Sequence, residues 1–336
     1  YLHASLDIIG GYSAAMSNSG DPIEFAGAAE TLICVGAFLF WKARSNRRAA
    51  WFFVALLTVP ILMSLKHGFV RQDVHVINFV FFAGLALGLI SLVMPLDGAR
   101  SMVAFLVVVN FGMVSFEYMF AKVGIGDAFA EASGVRGASL AWGALHPSRL
   151  HGELASAARD YLPEARVEPE MRTIIAAEPV ASLSLAYSSA LLDGLNLAVY
   201  PVVQRYSAYT PYLDRINATG VRDKGPRFLL FDGHAIDQRH PWAETPAMWL
   251  EVYRWYDTRL TGARSVLLER RLTPRFQGLK PVARFQMPIG APLDMPPDAQ
   301  FWSIQCGQSA FGRLEKLVFR VPALRMRVDP YGGEPK

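Results

Sequence analysis

The sequence contains few cysteines, and their positions limit what the chain can be. Only Cys34 and Cys306 occur among 336 residues. The first lies in a long apolar run and the second far along the chain in a more polar region, so we expect them on different sides of a membrane boundary. This separation excludes a disulfide framework and a metal site built from thiolates.

The chain also lacks a large net charge, repeats and metal signatures. The formal net charge is +4, which is too small to indicate nucleic-acid binding, and no basic stripe with interleaved aromatic residues occurs. The absence of an inverted repeat, or of a pair of helices broken by glycine and proline, argues against a transporter. The sequence therefore identifies no metal and no cofactor, and it excludes nucleic acid as a partner.

Long apolar runs, by contrast, are abundant in the first third of the chain. Four of them have the length of a membrane helix: 22–41, 49–65, 76–94 and 101–119. About 20 apolar residues cross a hydrocarbon core of about 30 Å, and a helix of a soluble protein rarely stays apolar on every side for so long. The sequence predicts a membrane α-helical region with four visible spans. We expect more spans upstream, because the chain begins with Tyr1 rather than methionine.

The loop between the first two runs sets the predicted orientation. It carries four cations and no acid: Lys42, Arg44, Arg47 and Arg48. The positive-inside rule places this loop in the cytoplasm, so the chain after about Ala121 is exported. The predicted order is an extracytoplasmic segment over 1–21, the spans within 22–119, an exported α/β domain over 120–281 and a C-terminal β-rich portion over 282–336.

The most informative feature is a polar stretch between the second and third runs, Lys66–His75, which we call the membrane-surface cluster. It holds five ionisable side chains: Lys66, His67, Arg71, Asp73 and His75. Charge at a membrane surface is costly unless it has partners or a function. One interpretation makes Lys66 and Arg71 phosphate ligands and His67, Asp73 and His75 catalytic acid–base groups. The other is a topological turn in which Asp73 pairs with Arg71 and the basic residues contact lipid head groups.

The exported part alternates short β-like runs with helical ones. The pattern predicts strands at 173–177, 197–203, 227–232 and 265–269, and helices near 183–192 and 245–258. Short strands separated by proline and glycine are predicted at 301–306, 314–319 and 324–328. The sequence thus predicts an α/β unit followed by an all-β end.

Two polar clusters directly follow predicted strands of the exported part. The first, 204–217, has the aromatic, amide and guanidinium groups of a sugar-binding surface, with candidate ligands Gln204, Tyr206, Tyr209 and Asn217. The second, 232–242, offers the candidate ligands Asp232, Asp237, Arg239 and His240. Its two aspartates and two histidines could bind a divalent metal or supply an acid–base pair, although their spacing matches no specific metal signature. Because loops at the carboxyl ends of strands form the ligand crevice of an open α/β sheet, we expect the two clusters to share one rim. The alternatives are a helix that packs its tyrosines on the sheet and a loop bonded to its own backbone.

Four stretches also carry a resemblance to a known group of proteins. They are Lys-His-Gly-Phe-Val-Arg-x-Asp-x-His at 66–75, Gln-x-Tyr-Ser-Ala-Tyr-Thr-Pro-x-Leu-x-x-x-Asn at 204–217, Phe-Leu-Leu-Phe-Asp to Arg-His-Pro at 228–241 and Arg-Leu-x-Lys-Leu-x-Phe-Arg-x-Pro at 313–322. Together they resemble an uncharacterised group of bacterial multi-pass inner-membrane proteins with an extracytoplasmic domain. The membrane-surface cluster is more loosely similar to loops of O-antigen ligases and polymerases, which move glycans from a polyprenyl-diphosphate carrier.

This resemblance and the polar clusters favour a role in bacterial envelope glycan assembly. In an enzyme, Lys66 and Arg71 bind a lipid diphosphate, and the exported domain binds the glycan acceptor. The rival interpretation is a non-catalytic subunit or scaffold of a larger membrane complex. Glu24 and Glu30 in the first run suit either view, because carboxylates within membrane helices normally face protein. Expected partners are therefore membrane lipid, a lipid-linked glycan and other membrane subunits.

Overall fold

A computed structural model describes residues 2–318 except 19, 74, 94–134, 185–186, 295 and 297–300, together with Arg320 and Met326. The helices of this part are α1 Leu2–Ala15, α2 Ile23–Ser45, α3 Arg47–Val70, α4 Val76–Val93, α5 Val135–Leu145, α6 Pro147–Ala165, α7 Pro169–Ile175, α8 Ser188–Leu192, α9 Pro211–Lys224, α10 Pro241–Glu244, α11 Pro246–Trp255 and α12 Ala310–Val318. The strands are β1 Val180–Ser182, β2 Phe228–Phe231, β3 Tyr256–Thr261 and β4 Val266–Arg270. Short 3₁₀ helices occur at Arg205–Ser207 and Ile236–Gln238.

The chain divides into two compact units. One, which we call the sheet unit, comprises Tyr1–Gly11 and Arg159–Ala310. The other, which we call the helix unit, comprises Tyr12–Ala158 and Phe311–Lys336. The helix unit thus takes in the membrane-surface cluster, and the sheet unit takes in both polar clusters of the predicted exported part.

In the helix unit, α2, α3 and α4 pack around one apolar core. Asn46 caps α3 by accepting a hydrogen bond from the backbone N–H of Ala49 at 3.0 Å, which satisfies one of the free donors at a helix start. The core residues recur at helical spacing, as in Phe53, Leu57 and Ile61 of α3, which face Phe79 of α4 and its neighbours. The opposite face of α3 remains apolar and exposed.

The predicted fold of four membrane spans is wrong. Among the described residues, one helix, α3, is long and apolar enough to cross a membrane, and 22% of its most apolar stretch is buried. An apolar run does not distinguish a helix that faces lipid from one that packs on its neighbours. The 18 residues of α4 reach about 27 Å at 1.5 Å per residue, and α2 buries a carboxylate, Glu24, in its first turn. The run at 101–119 lies outside the described residues.

The sheet unit contains a four-stranded mixed sheet in the order β1-β2-β4-β3. β1 and β2 are parallel, with Val180 opposite Phe228, while β2–β4 and β3–β4 are antiparallel. Successive residues of β2 face opposite sides: Leu229 packs with α9 and α11, and Phe228 and Leu230 pack with α7. Both faces of the sheet are therefore covered, which explains the unbroken apolar sequence of β2.

The predicted all-β end is the second error in the expected fold. Residues 314–318, predicted as part of a strand, belong to the helix α12, and no strand occurs among the described residues of 301–318. Phe301 instead packs against the rings of Trp242, Tyr253 and Phe276. A strand needs a neighbouring strand to bond its backbone, and a short apolar run does not reveal whether one is present. Of the predicted strand at 324–328, only Met326 is described.

Other predicted elements can be compared directly. β2, α11 and β4 lie where the pattern predicts a strand, a helix and a strand. The strand predicted at 173–177 is wrong, because residues 169–175 form α7 and bury Met171 and Ile175. The strand predicted at 197–203 is reduced to a single bridge between Leu197 and Val180.

Candidate functional site

The membrane-surface cluster lies at the end of α3, where the chain turns into α4. Lys66 to Val70 form the last turn of α3, and the backbone becomes extended at Arg71. Asn18, in the loop before α2, holds this extended stretch in place. Its N–H donates to the Val70 carbonyl at 3.0 Å, and its carbonyl accepts from the Gln72 N–H at 3.2 Å. The cluster is thus held by backbone hydrogen bonds from a second loop, which an isolated turn between two helices would lack.

Asp73 is the centre of the cluster. One carboxylate oxygen lies 2.5 Å from Nδ1 of His75 and accepts the His75 backbone N–H at 3.0 Å. The other accepts Nε–H of Arg71 at 3.0 Å. Because the carboxylate engages Nδ1, it orients the imidazole and stabilises the tautomer whose Nε2 can accept a proton. This arrangement of a carboxylate and a histidine is the one that general bases use.

The neighbouring groups His75 and Arg71 stabilise the negative charge of Asp73. Burial alone raises the pKa of this carboxyl, but its hydrogen bonds with His75 and the positive charge of Arg71 outweigh burial and lower the pKa below its ordinary 3.8. A carboxyl with a lowered pKa contributes stability above its unfolded-state pKa, and this contribution is lost as the pH falls through the folded-state value. Asp73 therefore remains ionised and able to orient His75 at neutral pH.

A second imidazole lies beside the first. The ring of His67, on the exposed side of the last turn of α3, lies 5.3 Å from that of His75 between centroids, at an interplanar angle of 71°. Lys66 precedes it and is half-buried. The structure thus brings together Arg71, Asp73, His75 and His67, and a role for Lys66 beside them stays a prediction.

Two buried polar side chains, Gln72 and Glu24, lie next to the cluster. Gln72 is 2% exposed and donates through Nε2 to the Asp21 carbonyl at 2.6 Å. Glu24 lies close by. A Cβ on Gly20 would come within 2.4 Å of the Gln72 carbonyl oxygen and 2.7 Å of Oε2 of Glu24, so only glycine fits there. The sequence signalled Glu24 as a carboxylate in an apolar run, but nothing in it indicated Gln72.

In the sheet unit, the residues predicted to bind sugar separate into different environments. Asn217 is fully buried and bonds Val202 in both directions, accepting its N–H at 2.9 Å and donating to its carbonyl at 3.3 Å. Tyr209 packs beside Gly11 of α1. Gln204 is exposed and Tyr206 half-buried. Asn217 has the contacts of a structural residue, and a sugar-binding role for the others stays a prediction.

A buried arginine that sequence reasoning did not single out occupies the rim of the sheet. Arg205 lies at the carboxyl ends of β1 and β2 and is 2% exposed. It donates to the carbonyl oxygens of Leu183, His234 and Pro241 at 3.0, 3.2 and 3.4 Å. Its Nη1 lies 2.6 Å from Oε2 of Glu244. The position where open α/β sheets bind ligands is therefore filled by an internal ion pair.

The loop after β2 wraps around this arginine. Asp232 accepts the His234 backbone N–H at 3.0 Å, and the ring of His240 caps α10 by accepting from the Trp242 N–H at 3.4 Å. Asp237 has a positive φ of 55°, which is uncommon outside glycine and concentrates at functional or constrained positions. Its carboxylate lies 3.6 Å from the guanidinium group of Arg239.

Arg205 connects the two polar clusters of the sheet unit. It belongs to the cluster at 204–217 and donates to backbone carbonyls of the cluster at 232–242. The predicted ligands Asp232, Asp237, Arg239 and His240 have local partners on this rim, and their role in binding stays a prediction. Within the described part of the chain, no three His, Cys, Asp or Glu side chains are grouped closely enough to hold a metal ion.

Comparison with protein-family models, with curated proteins and with solved structures found no match to this chain. A functional proposal must therefore come from the chemistry of its own side chains. Among the described residues, the membrane-surface cluster is the strongest candidate, because it combines an oriented imidazole, a neighbouring guanidinium group and a position at the end of the apolar helix α3.

Proposed function

We propose that the protein is a membrane-bound transferase of bacterial envelope glycan assembly, which moves a glycan from a polyprenyl-diphosphate carrier to an acceptor hydroxyl. The observation that carries this proposal is the pair of Asp73 and His75, 2.5 Å apart, beside Arg71 at the end of α3. A lipid carrier presents its diphosphate at the membrane surface, which is where a cluster at the end of a membrane helix lies. The proposal therefore matches the position of the site as well as its chemistry.

The reaction needs one proton transfer and one leaving group. Nε2 of His75 takes the proton of the acceptor hydroxyl as its oxygen attacks the anomeric carbon of the glycan. The bond between that carbon and the diphosphate oxygen breaks, and its electron pair leaves with the diphosphate. Arg71 and Lys66 stabilise the negative charge that develops there, and Asp73 stabilises the imidazolium. In this proposal His67, whose ring centroid lies 5.3 Å from that of His75, is the second acid–base group.

Arginine suits the proposed role of Arg71 better than lysine. The planar guanidinium group presents several N–H donors and can bind two phosphate oxygens at once. The ammonium group of lysine acts instead as a point charge. Nε–H of Arg71 makes the 3.0 Å bond with Asp73 described above. That bond also fixes the direction of the guanidinium group. Arg71 is thus already oriented before a phosphate binds.

We place the protein in the bacterial inner membrane because of the apolar surface of α3. α3 exposes large apolar side chains along its length, including Val59 at 63% and Met63 at 65%, whereas the outer face of a helix in water is polar. Arg47 and Arg48 at its start, with Arg44 before it, are exposed and favour the cytoplasmic side. The membrane-surface cluster and the sheet unit then lie on the extracytoplasmic side.

This orientation predicts which positions react with an impermeant thiol reagent in intact cells. Cys306 is a free, exposed cysteine of the sheet unit. In a Cys34→Ser background we expect it to be labelled from outside the inner membrane, whereas Arg47→Cys in a chain that also carries Cys306→Ser should react only after the membrane is permeabilised. Labelling of Arg47→Cys but not of Cys306 in intact cells would reverse the orientation and refute the proposed topology.

The activity itself is tested with full-length protein in lipid vesicles that contain a glycan linked to polyprenyl diphosphate. With an acceptor bearing free hydroxyl groups, we expect release of polyprenyl diphosphate and a matching amount of elongated acceptor. Arg71→Lys keeps the charge but loses the bidentate geometry, so it should slow turnover by roughly tenfold or more, the loss of one charge-assisted hydrogen bond. Equal turnover by Arg71→Lys would show that the arginine only contacts head groups.

A second candidate, a non-catalytic subunit of a larger membrane complex, is favoured by other exposed apolar side chains. In α2, Ile33 is 69% and Phe40 65% exposed, surfaces that could pack against further helices as well as lipid. Glu24 is buried and Glu30 half-buried in the same helix. If the protein is such a subunit, it should copurify with integral membrane partners, and Arg71 and His75 variants should complement an envelope-glycan defect fully.

A further inference from the structure

Four aromatic side chains of the sheet unit pack together at its surface, and we call them the aromatic platform. They are Trp242 of α10, Tyr253 of α11, Phe276 and Phe301. Their neighbouring ring centroids lie 5.6–6.3 Å apart, the range in which aromatic rings attract one another. Tyr253 is 41% exposed, and the other three are half-buried. The platform therefore presents one ring to solvent and supports it with three others.

These rings are held in place before any ligand binds. Trp242 also stacks at 6.2 Å on Trp249, a core residue that is 6% exposed. Arg254 of α11 donates to the carbonyl oxygens of Phe276 and Gln277 at 3.0 and 2.7 Å, which attaches this segment to the helix. A ligand would therefore meet a preformed surface and lose little free energy in ordering it.

Polar groups border the exposed ring of Tyr253. The guanidinium carbon of Arg275 lies 4.6 Å from the centroid of this ring, and its Nη2 donates to Oδ1 of Asp257 at 2.7 Å. The side chains of Arg275 and Asp257 are 35% and 48% exposed. Nη1 of Arg275 makes no hydrogen bond within the described part of the chain. A ligand on Tyr253 would thus find a hydrogen-bond donor and an acceptor beside the ring.

We propose that the aromatic platform is a binding site for a neutral glycan. A pyranose ring has C–H groups whose hydrogens carry a partial positive charge and pack against the negative face of an aromatic ring. Its hydroxyl groups both donate and accept hydrogen bonds, so they can bond Arg275 and Asp257 at the same time. This inference goes beyond the proposed transfer reaction, because a scaffold that holds glycan would need the same site.

The local charges favour a neutral ligand over an anion. Arg271 and Arg275 both pair with Asp257, and Nη1 of Arg254 lies 3.7 Å from Oε1 of Glu251. Each of these three cations therefore has a carboxylate partner, with which an anion would have to compete. A sugar hydroxyl needs no unpaired charge, since it can bond a guanidinium group and a carboxylate that stay paired.

The size of the exposed surface favours a sugar over a protein partner. An aromatic side chain buries about 150–250 Å² when it is fully enclosed, and Tyr253 is the exposed ring among the four of the platform. A stable protein interface covers roughly 800 Å² on each partner. The platform therefore matches the area of one pyranose ring and falls far short of a protein interface.

The test measures binding of full-length protein in detergent to immobilised neutral oligosaccharides of glucose, galactose, mannose and N-acetylglucosamine. Wild-type protein should bind at least one of the four. Tyr253→Leu keeps apolar bulk but loses the ring, so it should lower that affinity by roughly tenfold, the upper effect of one aromatic contact. Tyr253→Phe keeps the ring and should retain most of the affinity. Tyr212→Leu changes another exposed tyrosine of the sheet unit, whose ring contacts His3, and is the matched control.

A second measurement requires no variant to fold. In wild-type protein, the bound oligosaccharide should protect Tyr253 from nitration by tetranitromethane, because the sugar covers its ring. Tyr212, which is 38% exposed, should be nitrated equally with and without the oligosaccharide.

Several outcomes would overturn the inference. Binding of none of the four oligosaccharides would refute it, as would full affinity in Tyr253→Leu or nitration of Tyr253 that the oligosaccharide does not slow. Equal loss in Tyr212→Leu would indicate a general surface effect. Affinity that falls steeply with added salt, or that is higher for polygalacturonate, would assign the platform to an anionic ligand instead.

The proposed function is tested separately from this inference. Protein that binds oligosaccharide but releases no polyprenyl diphosphate retains the glycan site and is not a transferase. Protein that transfers glycan, and in which Tyr253→Leu binds and reacts like the wild type, defeats the inference alone.

Discussion

Replacement of His75 by alanine is expected to lower the rate of glycan transfer by about 10²–10⁴-fold, the usual contribution of a general base. The variant removes the ring that Asp73 holds at 2.5 Å and leaves Arg71 and Lys66 in place. Binding of the lipid diphosphate should therefore change little while turnover falls. The measurement is the initial rate of polyprenyl-diphosphate release from vesicles at saturating donor and acceptor.

Two further observations make this result specific to proton transfer. Added imidazole should restore part of the activity of His75→Ala, because a small base can occupy the space that the ring leaves. His151→Ala, which changes an exposed histidine of α6, should behave like the wild type. Wild-type turnover by His75→Ala at matched protein levels would defeat the catalytic interpretation and favour the scaffold.

The second large effect is expected in the sheet unit. Arg205→Met should destabilise this unit by about 3–5 kcal/mol, because it leaves the buried carboxylate of Glu244 without its partner. The side chains of Arg205 and Glu244 are 1% and 3% exposed. The variant also removes the three N–H donors that bond the backbone carbonyls of Leu183, His234 and Pro241. The measurement is the urea midpoint of tryptophan fluorescence of the full-length protein, because Trp249 lies against the guanidinium group at 5.5 Å.

The effect of Arg205→Met should depend on pH. Burial raises the pKa of Glu244, and the charge of Arg205 partly offsets that rise. A carboxyl with a raised folded-state pKa loses its stabilising contribution as the pH rises through that value, and removal of Arg205 raises the pKa further. The destabilisation should therefore be larger at neutral than at acid pH.

Two variants complete this experiment. Arg205→Met combined with Glu244→Gln should recover part of the lost stability, because no charge is then left unpaired. Arg222→Met, which changes an exposed arginine that pairs with its neighbour Asp223, should have little effect, as is usual for surface pairs. A loss of stability in Arg205→Met no greater than that in Arg222→Met would contradict the structural role of the buried pair.

Local sequence predicted those elements whose signal is local. The apolar run of β2 and the proline start of α11 indicated a strand and a helix, and the structure confirms both. The spacing of Arg71, Asp73 and His75 also placed three interacting groups within a few residues, and the structure joins them. Residues two apart in a turn cannot separate far, so their proximity follows from the chain itself.

The number of membrane spans was predicted wrongly for a physical reason. Apolar composition measures how unfavourable a surface is in water, and both lipid and the packed interior of a protein relieve that cost. The buried side chains of α4, among them Phe79 and Ala83, would look the same in either setting. The counting of apolar runs therefore could not separate α3 from its neighbours.

The sequence by itself determined which stretches are apolar, where β2 and α11 form and which ionisable groups cluster between α3 and α4. Only the tertiary structure decided that Arg205 fills the rim of the sheet, that Asn217 serves the backbone of Val202, and that Arg320 reaches Asn18. These contacts join residues from 15 to 302 positions apart. Their partners are selected by packing of the whole chain, since a buried arginine or amide must bond whichever carbonyl the fold places beside it.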